Sequence, residues 1–198
     1  MGDVSPTLAF LEKRISIKPR SRILVPGCGF GSDALYLAEK GYQVSAVDWA
    51  RETIDEVRKR ARKKDLEIET LCASVWAIPA SWNETFDVWV EHTFFCAISP
   101  ADRERYAQKA FELLKPGGKF LAALFVTKDP KAALPSQTGG PPFFLLEKDV
   151  RRIFEPYFEI MTLKLSGAAH SARVGREWCA HFKRRKSIKK PKIKKNQK

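Results

Sequence analysis

The sequence lacks any apolar run long enough to cross a bilayer as a helix. It also lacks, at its start, the basic stretch followed by an apolar stretch that marks a secretory signal peptide. These absences argue against membrane insertion and against secretion, so we expect a cytoplasmic location. The 198 residues, of which 44% are hydrophobic, are enough for one globular domain with a full core.

Cysteine and histidine are scarce, and neither has the spacing of metal ligands. We therefore predict no metal site, and we expect the thiols to be reduced. The residues concerned are Cys28, Cys72, Cys96 and Cys179, with His92, His170 and His181.

Acidic residues are absent from positions 183–198, where ten residues are lysine or arginine. The formal net charge is +13, yet the remaining 182 residues hold 26 basic and 23 acidic residues. A run of like charges repels itself and resists folding. We predict one domain over residues 1–182 and a disordered basic tail over 183–198. We expect this tail to be a solubilising extension without a specific partner. Contact with RNA, an anionic membrane or a nuclear import receptor is the alternative, and we expect no nucleic-acid partner except through the tail. We also expect a monomer.

What is present is an alternation of strand and helix patterns. It predicts an α/β fold, with a Rossmann-like, doubly wound sheet of seven mostly parallel strands whose last strand is antiparallel. Ligands of such sheets bind beyond the carboxyl ends of the strands. The predicted strands cover residues 22–25, 43–48, 67–72, 86–90, 119–126, 157–165 and 177–183.

The turn after the first strand is rich in glycine and indicates a nucleotide site. Gly27 and Gly29 let the backbone turn sharply and approach a ligand closely. Asp48 ends the next strand, where a carboxylate can accept from ribose hydroxyls. The third glycine, Gly31, gives the spacing G-x-G-x-G, whereas dinucleotide enzymes have G-x-G-x-x-G. This spacing favours S-adenosylmethionine (SAM) over NAD or FAD, and a purely structural turn is the remaining alternative.

The ends of the third and fourth strands are expected beside this turn. Ser74 follows the third strand and Glu91 follows the fourth. Four separate stretches of the chain are therefore expected to meet in one cleft.

The segment after the fourth strand indicates the class of methyl acceptor. Methyl transfer from a sulfonium is an in-line displacement, so the enzyme mainly aligns the nucleophile and excludes water. Enzymes that act on amines or RNA bases commonly carry a polar Asn/Asp-Pro-Pro-Tyr/Phe clamp here, whereas residues 91–98 are apolar and aromatic after the acid. The segment favours a soft, already anionic nucleophile such as a thiolate or heavy halide. An RNA or protein methyltransferase that uses the basic tail is the alternative.

With these motifs the sequence resembles the thiopurine S-methyltransferase superfamily of class I SAM-dependent methyltransferases, closest to its halide and thiol (thiocyanate) branch. The resemblance implies SAM-dependent S-methylation of a thiol, thiopurine, thiocyanate or halide. It also implies a Trp-rich capping segment ahead of the stretch that aligns with residues 1–6; a non-catalytic SAM-binding module without this cap is a further alternative. The resemblance covers roughly residues 4–185, and its matching stretches are 24–29, 91–98, 113–118, 139–143 and 175–178.

The resemblance implies a cofactor role at each matching position. Along SAM, the implied residues are Gly27, Cys28 and Gly29 at the methionine part, Glu91 at its amino group, Asp48 at the ribose, and Trp49, Ser74 and Val75 at the adenine.

An acceptor pocket is implied beside the cofactor. Phe143, on a long loop over residues 127–146, would cover the pocket together with Phe94 or Phe95. A loop of this length in a compact domain is usually functional, often as a lid.

Three polar residues are further candidates. Arg173 and Arg176 could bind an acceptor carboxylate, and we assign Arg176 to the pocket, with solvated positions on the last hairpin as the alternative. His92 is a candidate general base at neutral pH. A thiolate or halide requires no base, so we expect no obligatory catalytic side chain, and a structural role for His92 is the alternative.

Overall fold

The computed structural model describes residues 4–128 and 141–188. Residues 129–140 of the predicted long loop and residues 189–198 of the predicted tail lie outside the described residues. The helices are α1 (Pro6–Arg14), α2 (Ser32–Glu39), α3 (Arg51–Lys63), α4 (Arg103–Leu113) and α5 (Glu147–Phe154). The strands are β1 (Arg22–Pro26), β2 (Gln43–Asp48), β3 (Ile68–Cys72), β4 (Phe86–His92), β5 (Leu114–Thr127), β6 (Leu145–Leu146), β7 (Phe158–Leu165) and β8 (Glu177–Arg184).

The sheet confirms the predicted architecture. Its strand order is β3-β2-β1-β4-β5-β8-β7, and the last strand, β8, runs antiparallel to both of its neighbours. The short strand β6, which the sequence pattern did not reveal, pairs in parallel with the end of β5. Doubly wound connections place helices on both faces, which explains why the central strands are apolar throughout.

Successive strand residues contribute to two cores on opposite faces of the sheet. Ile23 and Val25 pack in a cluster with residues of α1, α2 and α3, whereas Leu24 packs in a cluster with residues of α4 and α5. This alternation follows from the two-residue period of a strand. The face on which a residue lies therefore decides which helix it can reach. No helix in the described ranges is long and apolar enough to span a membrane.

The start of α1 and the start of β5 illustrate local sequence effects. The Ser5 hydroxyl caps α1 by accepting from the Leu8 amide, and Pro6 occupies the first turn. Residues 115–118 form an irregularity within β5. Phe86 pairs with Leu114, and the next pair is Val88 with Lys119.

The last strand extends past residue 182, where the sequence predicts the boundary between domain and tail. β8 continues through Lys183 to Arg184, and Arg184 is only 5% exposed. Its guanidinium donates to the Glu84 carboxylate at 2.6 Å, its Nε donates to the Phe111 carbonyl at 2.7 Å, and it lies 4.0 Å from the centre of the Phe111 ring. A basic residue with these partners belongs to the folded domain, because its charge is paired and its stem is packed.

Candidate active site

The candidate site lies where the strand order of the sheet reverses. β1 pairs with β2 on one side and with β4 on the other, so a crevice opens beyond its carboxyl end. Two cavities flank the turn after β1, and Gly27 lines both of them. The first cavity measures about 360 Å³ and the second about 350 Å³. A larger cavity of about 740 Å³, at the amino ends of β1–β3, is lined by none of the predicted site residues.

The first cavity brings together most of the predicted cofactor residues. Trp49 is 77% exposed at this cavity, so a ring face is available to a planar ligand. Val75 is buried, and Ser74 caps the short turn Val75–Ala77 by accepting from the Trp76 amide. The predicted residues that line this cavity are Gly27, Asp48, Trp49, Ser74, Val75 and Phe94.

The glycine turn requires glycine for two different reasons. Gly27 and Gly29 both have positive φ, +58° and +50°, which favours glycine. A Cβ on Gly27 would also lie 2.3 Å from the Phe94 ring, whereas a Cβ on Gly29 would meet nothing within 4 Å. Gly27 therefore permits the close packing of Phe94, and Gly29 leaves open space above the turn.

Asp48 connects the turn to the end of β2. Its Oδ2 accepts from the Gly29 amide at 2.9 Å, and its Oδ1 accepts from the Ala50 amide at 3.0 Å. The carboxylate also lines the first cavity. Each oxygen has a second lone pair, so the same carboxylate can shape the turn and still accept from a ligand.

Glu91 lies beneath the site rather than in it. The side chain is fully buried and lines neither cavity. One oxygen accepts from the Phe94 and Phe95 amides at 2.9 and 2.7 Å, and the other accepts from the Tyr106 hydroxyl. The contact with the amino group of SAM stays a prediction, and in this structure burial and three donors occupy the carboxylate. Its bonds instead support the turn in which Thr93 takes a φ of +63°.

The predicted acceptor residues separate into those at the cavities and those away from them. Phe94 is half-buried at the first cavity, whereas Phe95 is 1% exposed and packs against Tyr106 and Phe154 in the core. Phe143 lines neither cavity, although its amide donates to the Cys96 carbonyl at 2.7 Å. An apolar pattern does not distinguish a pocket wall from a core, so the sequence alone could not separate Phe94 from Phe95.

The two arginines of the last hairpin have different surroundings, and the structure brings Arg176 to neither of the two cavities. Arg176 is exposed, lines neither cavity and donates to the Ala172 carbonyl. Arg173 lines the second cavity and its guanidinium lies 5.3 Å from the centre of the Phe125 ring. Arg173 at the cavity and Arg176 at the surface are therefore only three positions apart in the sequence.

A chain of polar side chains borders the second cavity, and three of its members line that cavity. We call it the relay, and it comprises Thr7, Asp33, His92, Arg173 and Glu177. Asp33 Oδ2 lies 2.8 Å from His92 Nδ1, and Arg173 lies 2.5 Å from His92 Nε2. Arg173 also donates to Glu177 at 3.2 Å, and the Thr7 hydroxyl donates to Glu177 at 2.5 Å. Glu177 is 1% exposed, so its negative charge is matched within the relay.

The relay fixes the state of His92. Arginine has no acceptor atom, so Arg173 must donate and Nε2 must accept. Nδ1 then carries the proton and donates to Asp33, which gives a neutral imidazole. The lone pair that a general base would use is therefore occupied by Arg173. This arrangement favours the structural reading of His92 over the catalytic one.

The cysteines near the site are unreactive thiols. Burial, reinforced by Asp48, raises the pKa of Cys28 to about 12, and burial also raises the pKa of Cys96 to about 11. A thiol needs a lowered pKa to act as a nucleophile. Cys28 lines the second cavity together with Gly29, as its position between the two glycines predicts, but as a neutral wall.

Two residues of the site were missed or underrated by sequence reasoning. Asp33 is the acidic residue in the first turn of α2, a placement that suits the helix dipole and gives no further signal. It accepts from the Ser5 amide at 2.8 Å as well as contacting His92. Arg173 was one of two candidate arginines, and no sequence signal distinguished it from Arg176. Only the fold shows which one faces the cavity.

We expect Glu91→Gln to remove one component of the pH dependence of stability. Burial raises the pKa of Glu91 to about 7 from its ordinary value of 4.5, so the folded state favours the protonated acid. The stability that this provides is present below pH 4.5 and is lost as the pH rises through 7, a decrease of about 3 kcal/mol in the free energy of unfolding. Glutamine does not titrate, so urea unfolding of this variant between pH 4 and 8 should lack that decrease. The exposed Glu159→Gln serves as the control and should retain the decrease; an unchanged pH profile in Glu91→Gln would contradict the assignment.

The comparisons with known proteins agree on one family. The profile of the thiopurine S-methyltransferase family matches residues 1–187. Probable thiol methyltransferase 2 of Arabidopsis thaliana is 29% identical over 189 residues, which cover 93% of this chain and 78% of the relative. The thiopurine S-methyltransferase of Pseudomonas fluorescens is 26% identical over 165 residues, covering 77% of this chain and 72% of the relative.

Solved structures support the fold. The 1,6-didemethyltoxoflavin-N1-methyltransferase of Burkholderia thailandensis, solved with bound S-adenosylhomocysteine, superposes with a TM-score of 0.76 at 17% identity, covering 91% of this chain and 77% of the other. A SAM-dependent methyltransferase of Methanosarcina mazei superposes with a TM-score of 0.74 at 20% identity, covering 92% of this chain and 99% of the other.

Proposed function

Since the chain belongs to the thiopurine S-methyltransferase family, we propose that the two cavities beside Gly27 hold SAM and a small, soft methyl acceptor. The protein is a SAM-dependent methyltransferase that methylates sulfur. The acceptor class, the site residues and the single-domain organisation are the parts we propose. A monomer and a cytoplasmic location remain predictions.

The observation that supports this placement is the shared wall of the two cavities at Gly27. We assign the adenosine part of SAM to the first cavity, with Asp48 at the ribose hydroxyls and the exposed ring of Trp49 against the adenine. Ser74 and Val75 then contact the edge of the base. The methionine part extends along the turn formed by Gly27, Cys28 and Gly29, where the open space above Gly29 accommodates it.

The acceptor chemistry follows from the surroundings of the turn. The SAM sulfonium is a cation, and its reaction with an anion yields two neutral products. A water-poor, apolar surrounding favours such a loss of charge. The aromatic ring of Phe94 and the neutral thiol of Cys28 provide apolar walls. A thiolate, thiocyanate or halide fits this chemistry, and none of them has a proton that must be removed.

Removal of residues 189–198, which hold six of the ten basic residues of the predicted tail, discriminates this function from an RNA or protein methyltransferase. We expect a variant truncated after residue 188 to methylate thiocyanate and hydrosulfide at the wild-type rate, because every residue of the two cavities lies before that point. The measurement is formation of S-adenosylhomocysteine with each small acceptor, and with RNA and basic peptides. Activity on RNA or peptide that is lost in the truncated variant, with none on small acceptors, would contradict the proposal.

A further inference from the structure

We infer that Asp102 recognises the adenine of SAM by accepting a hydrogen bond from its exocyclic amino group. This inference rests on the proposed function, and it names the residue that makes the first cavity selective for adenine over other bases. Among the described residues that line the first cavity, two are acidic, Asp48 and Asp102. The proposed function assigns Asp48 to the ribose hydroxyls and leaves Asp102 without a role.

Asp102 stands where the sequence has the pattern of a helix cap. Ser99 and Asp102 belong to residue types that commonly cap the N-terminus of a helix. In the structure, a short 3₁₀ turn over Pro100–Asp102 runs directly into α4, so Asp102 has φ −94° and ψ −2°. A capping residue has extended backbone instead. Accordingly, neither the Ser99 nor the Asp102 side chain makes a capping hydrogen bond, and both side chains line the first cavity.

The Asp102 carboxylate is half-buried and has unused acceptor atoms. Within residues 4–128 and 141–188 it accepts no hydrogen bond and joins no ion pair. Its place at the start of α4 is favourable for a negative charge, but the helix dipole supplies no hydrogen bond. A carboxylate that has lost part of its water and gained no donor is well suited to accept from a ligand.

The two carboxylates of the first cavity match the two groups of donors on adenosine, the ribose hydroxyls and the amino group of the base. Asp48 ends β2 and Asp102 lies on the connection from β4 to α4, and β2 and β4 lie on opposite sides of β1. With Asp48 at the ribose and the ring of Trp49 against the adenine, Asp102 is the acidic residue left for the base. Ser74 suits the amino group less well, because its hydroxyl oxygen already accepts from the Trp76 amide.

A carboxylate at this position discriminates between bases by charge. Adenine presents an N–H donor at its sixth ring position, whereas hypoxanthine presents a carbonyl oxygen there and carries a proton on N1. The carboxylate of Asp102 attracts the amino group and repels the carbonyl oxygen. A site built to form a hydrogen bond rejects an analogue that lacks the matching group, because its own polar atom is then left unpaired. Asp102 is therefore a cofactor-binding residue that selects the base.

The test compares S-adenosylhomocysteine with S-inosylhomocysteine by titration calorimetry on the full chain. We expect wild type to bind the adenosyl ligand at least about tenfold more tightly than the inosyl ligand. Asp102→Ala should weaken the adenosyl ligand about tenfold and should not weaken the inosyl ligand. Asp102→Asn keeps the size of the side chain and gains an N–H donor for the carbonyl oxygen, so it should bind the inosyl ligand at least as tightly as the adenosyl ligand.

Glu104→Gln is the matched control. Glu104 is the acidic residue in the first turn of α4, pairs with Arg152 and does not line the first cavity. Its replacement by the amide removes a negative charge from the same helix end, so it should keep the wild-type ratio of the two affinities. Urea unfolding of each variant, without ligand, measures the change in stability separately from the change in affinity.

A wild-type ratio of the two affinities in both Asp102 variants overturns the inference. Equal weakening of both ligands in Asp102→Ala assigns this residue to the ribose or to the shape of the cavity, and it also overturns the inference. Loss of selectivity in Glu104→Gln would attribute the effect to charge at the helix end, with the same consequence. In each of these cases wild type still binds S-adenosylhomocysteine and the proposed function stands. Absence of S-adenosylhomocysteine binding in wild type contradicts the proposed function itself.

Discussion

Gly27→Ala should abolish measurable SAM binding and lower the free energy of unfolding by roughly 2–4 kcal/mol. The new methyl group would lie 2.3 Å from the ring of Phe94, far inside contact distance. Positive φ adds a cost of roughly 1–2 kcal/mol for any residue with a Cβ. Phe94 packs at 5.7 Å, edge to face, on the buried Tyr106, so the ring cannot move without disturbing the core. The displaced ring or backbone would enter the first cavity or the second, because Gly27 lines both.

Gly29→Ala is the matched control for this prediction. Its φ of +50° gives a similar backbone cost, but its Cβ would meet nothing within 4 Å. Urea unfolding in the absence of ligand should therefore show a loss of only about 1–2 kcal/mol for Gly29→Ala. Adding Phe94→Ala to Gly27→Ala should recover affinity for SAM relative to the single variant. Equal stability of the two single glycine variants would contradict the proposed contact between Gly27 and Phe94.

Asp48→Ala should weaken SAM binding by about 1.5–3 kcal/mol, or roughly tenfold to a hundredfold, through the loss of charge-assisted bonds to the ribose. Part of the effect would arise in the free protein, because the Gly29 and Ala50 amides lose their acceptor. Asp48→Asn separates the two contributions. It keeps an oxygen for one amide and loses the charge, so its affinity should lie between those of wild type and the alanine variant.

Titration calorimetry with S-adenosylhomocysteine, accompanied by urea unfolding of each variant, measures both effects. Asp55→Ala, an exposed position on α3, is the control and should bind as wild type does. An unchanged affinity in Asp48→Ala would remove Asp48 from the ribose site.

Much of the fold could be predicted because its signals are local. The strands β1 to β4 alternate with helices, as predicted, and both ends of β2 were predicted to the residue. The glycine turn could be recognised from its glycines, because positive φ and close packing both require glycine there. The short strand β6 gave no signal, because two residues cannot display a period.

The errors at the site come from one strand end and from contacts distant in sequence. β4 was predicted to end at Val90, whereas it continues to His92. Within a strand, neighbouring residues point to opposite faces, so Glu91 reaches Tyr106 on α4 and His92 reaches Asp33 on α2. The relay joins residues up to 170 positions apart, such as Thr7 and Glu177. No spacing rule could have selected Arg173 over Arg176, because that choice depends on how the β7–β8 connection folds over the cavity.

Incubation of the purified protein with methyl-labelled SAM and thiocyanate, hydrosulfide, methanethiol, iodide or a thiopurine gives the decisive readout. S-adenosylhomocysteine and the methylated acceptor are quantified together in each reaction. We predict that at least one small anionic acceptor gives both products in equal amounts, at a rate that saturates with acceptor concentration. S-adenosylhomocysteine at background level with every acceptor, from a protein that binds SAM by calorimetry, would contradict methyl transfer to a small soft anion at this site.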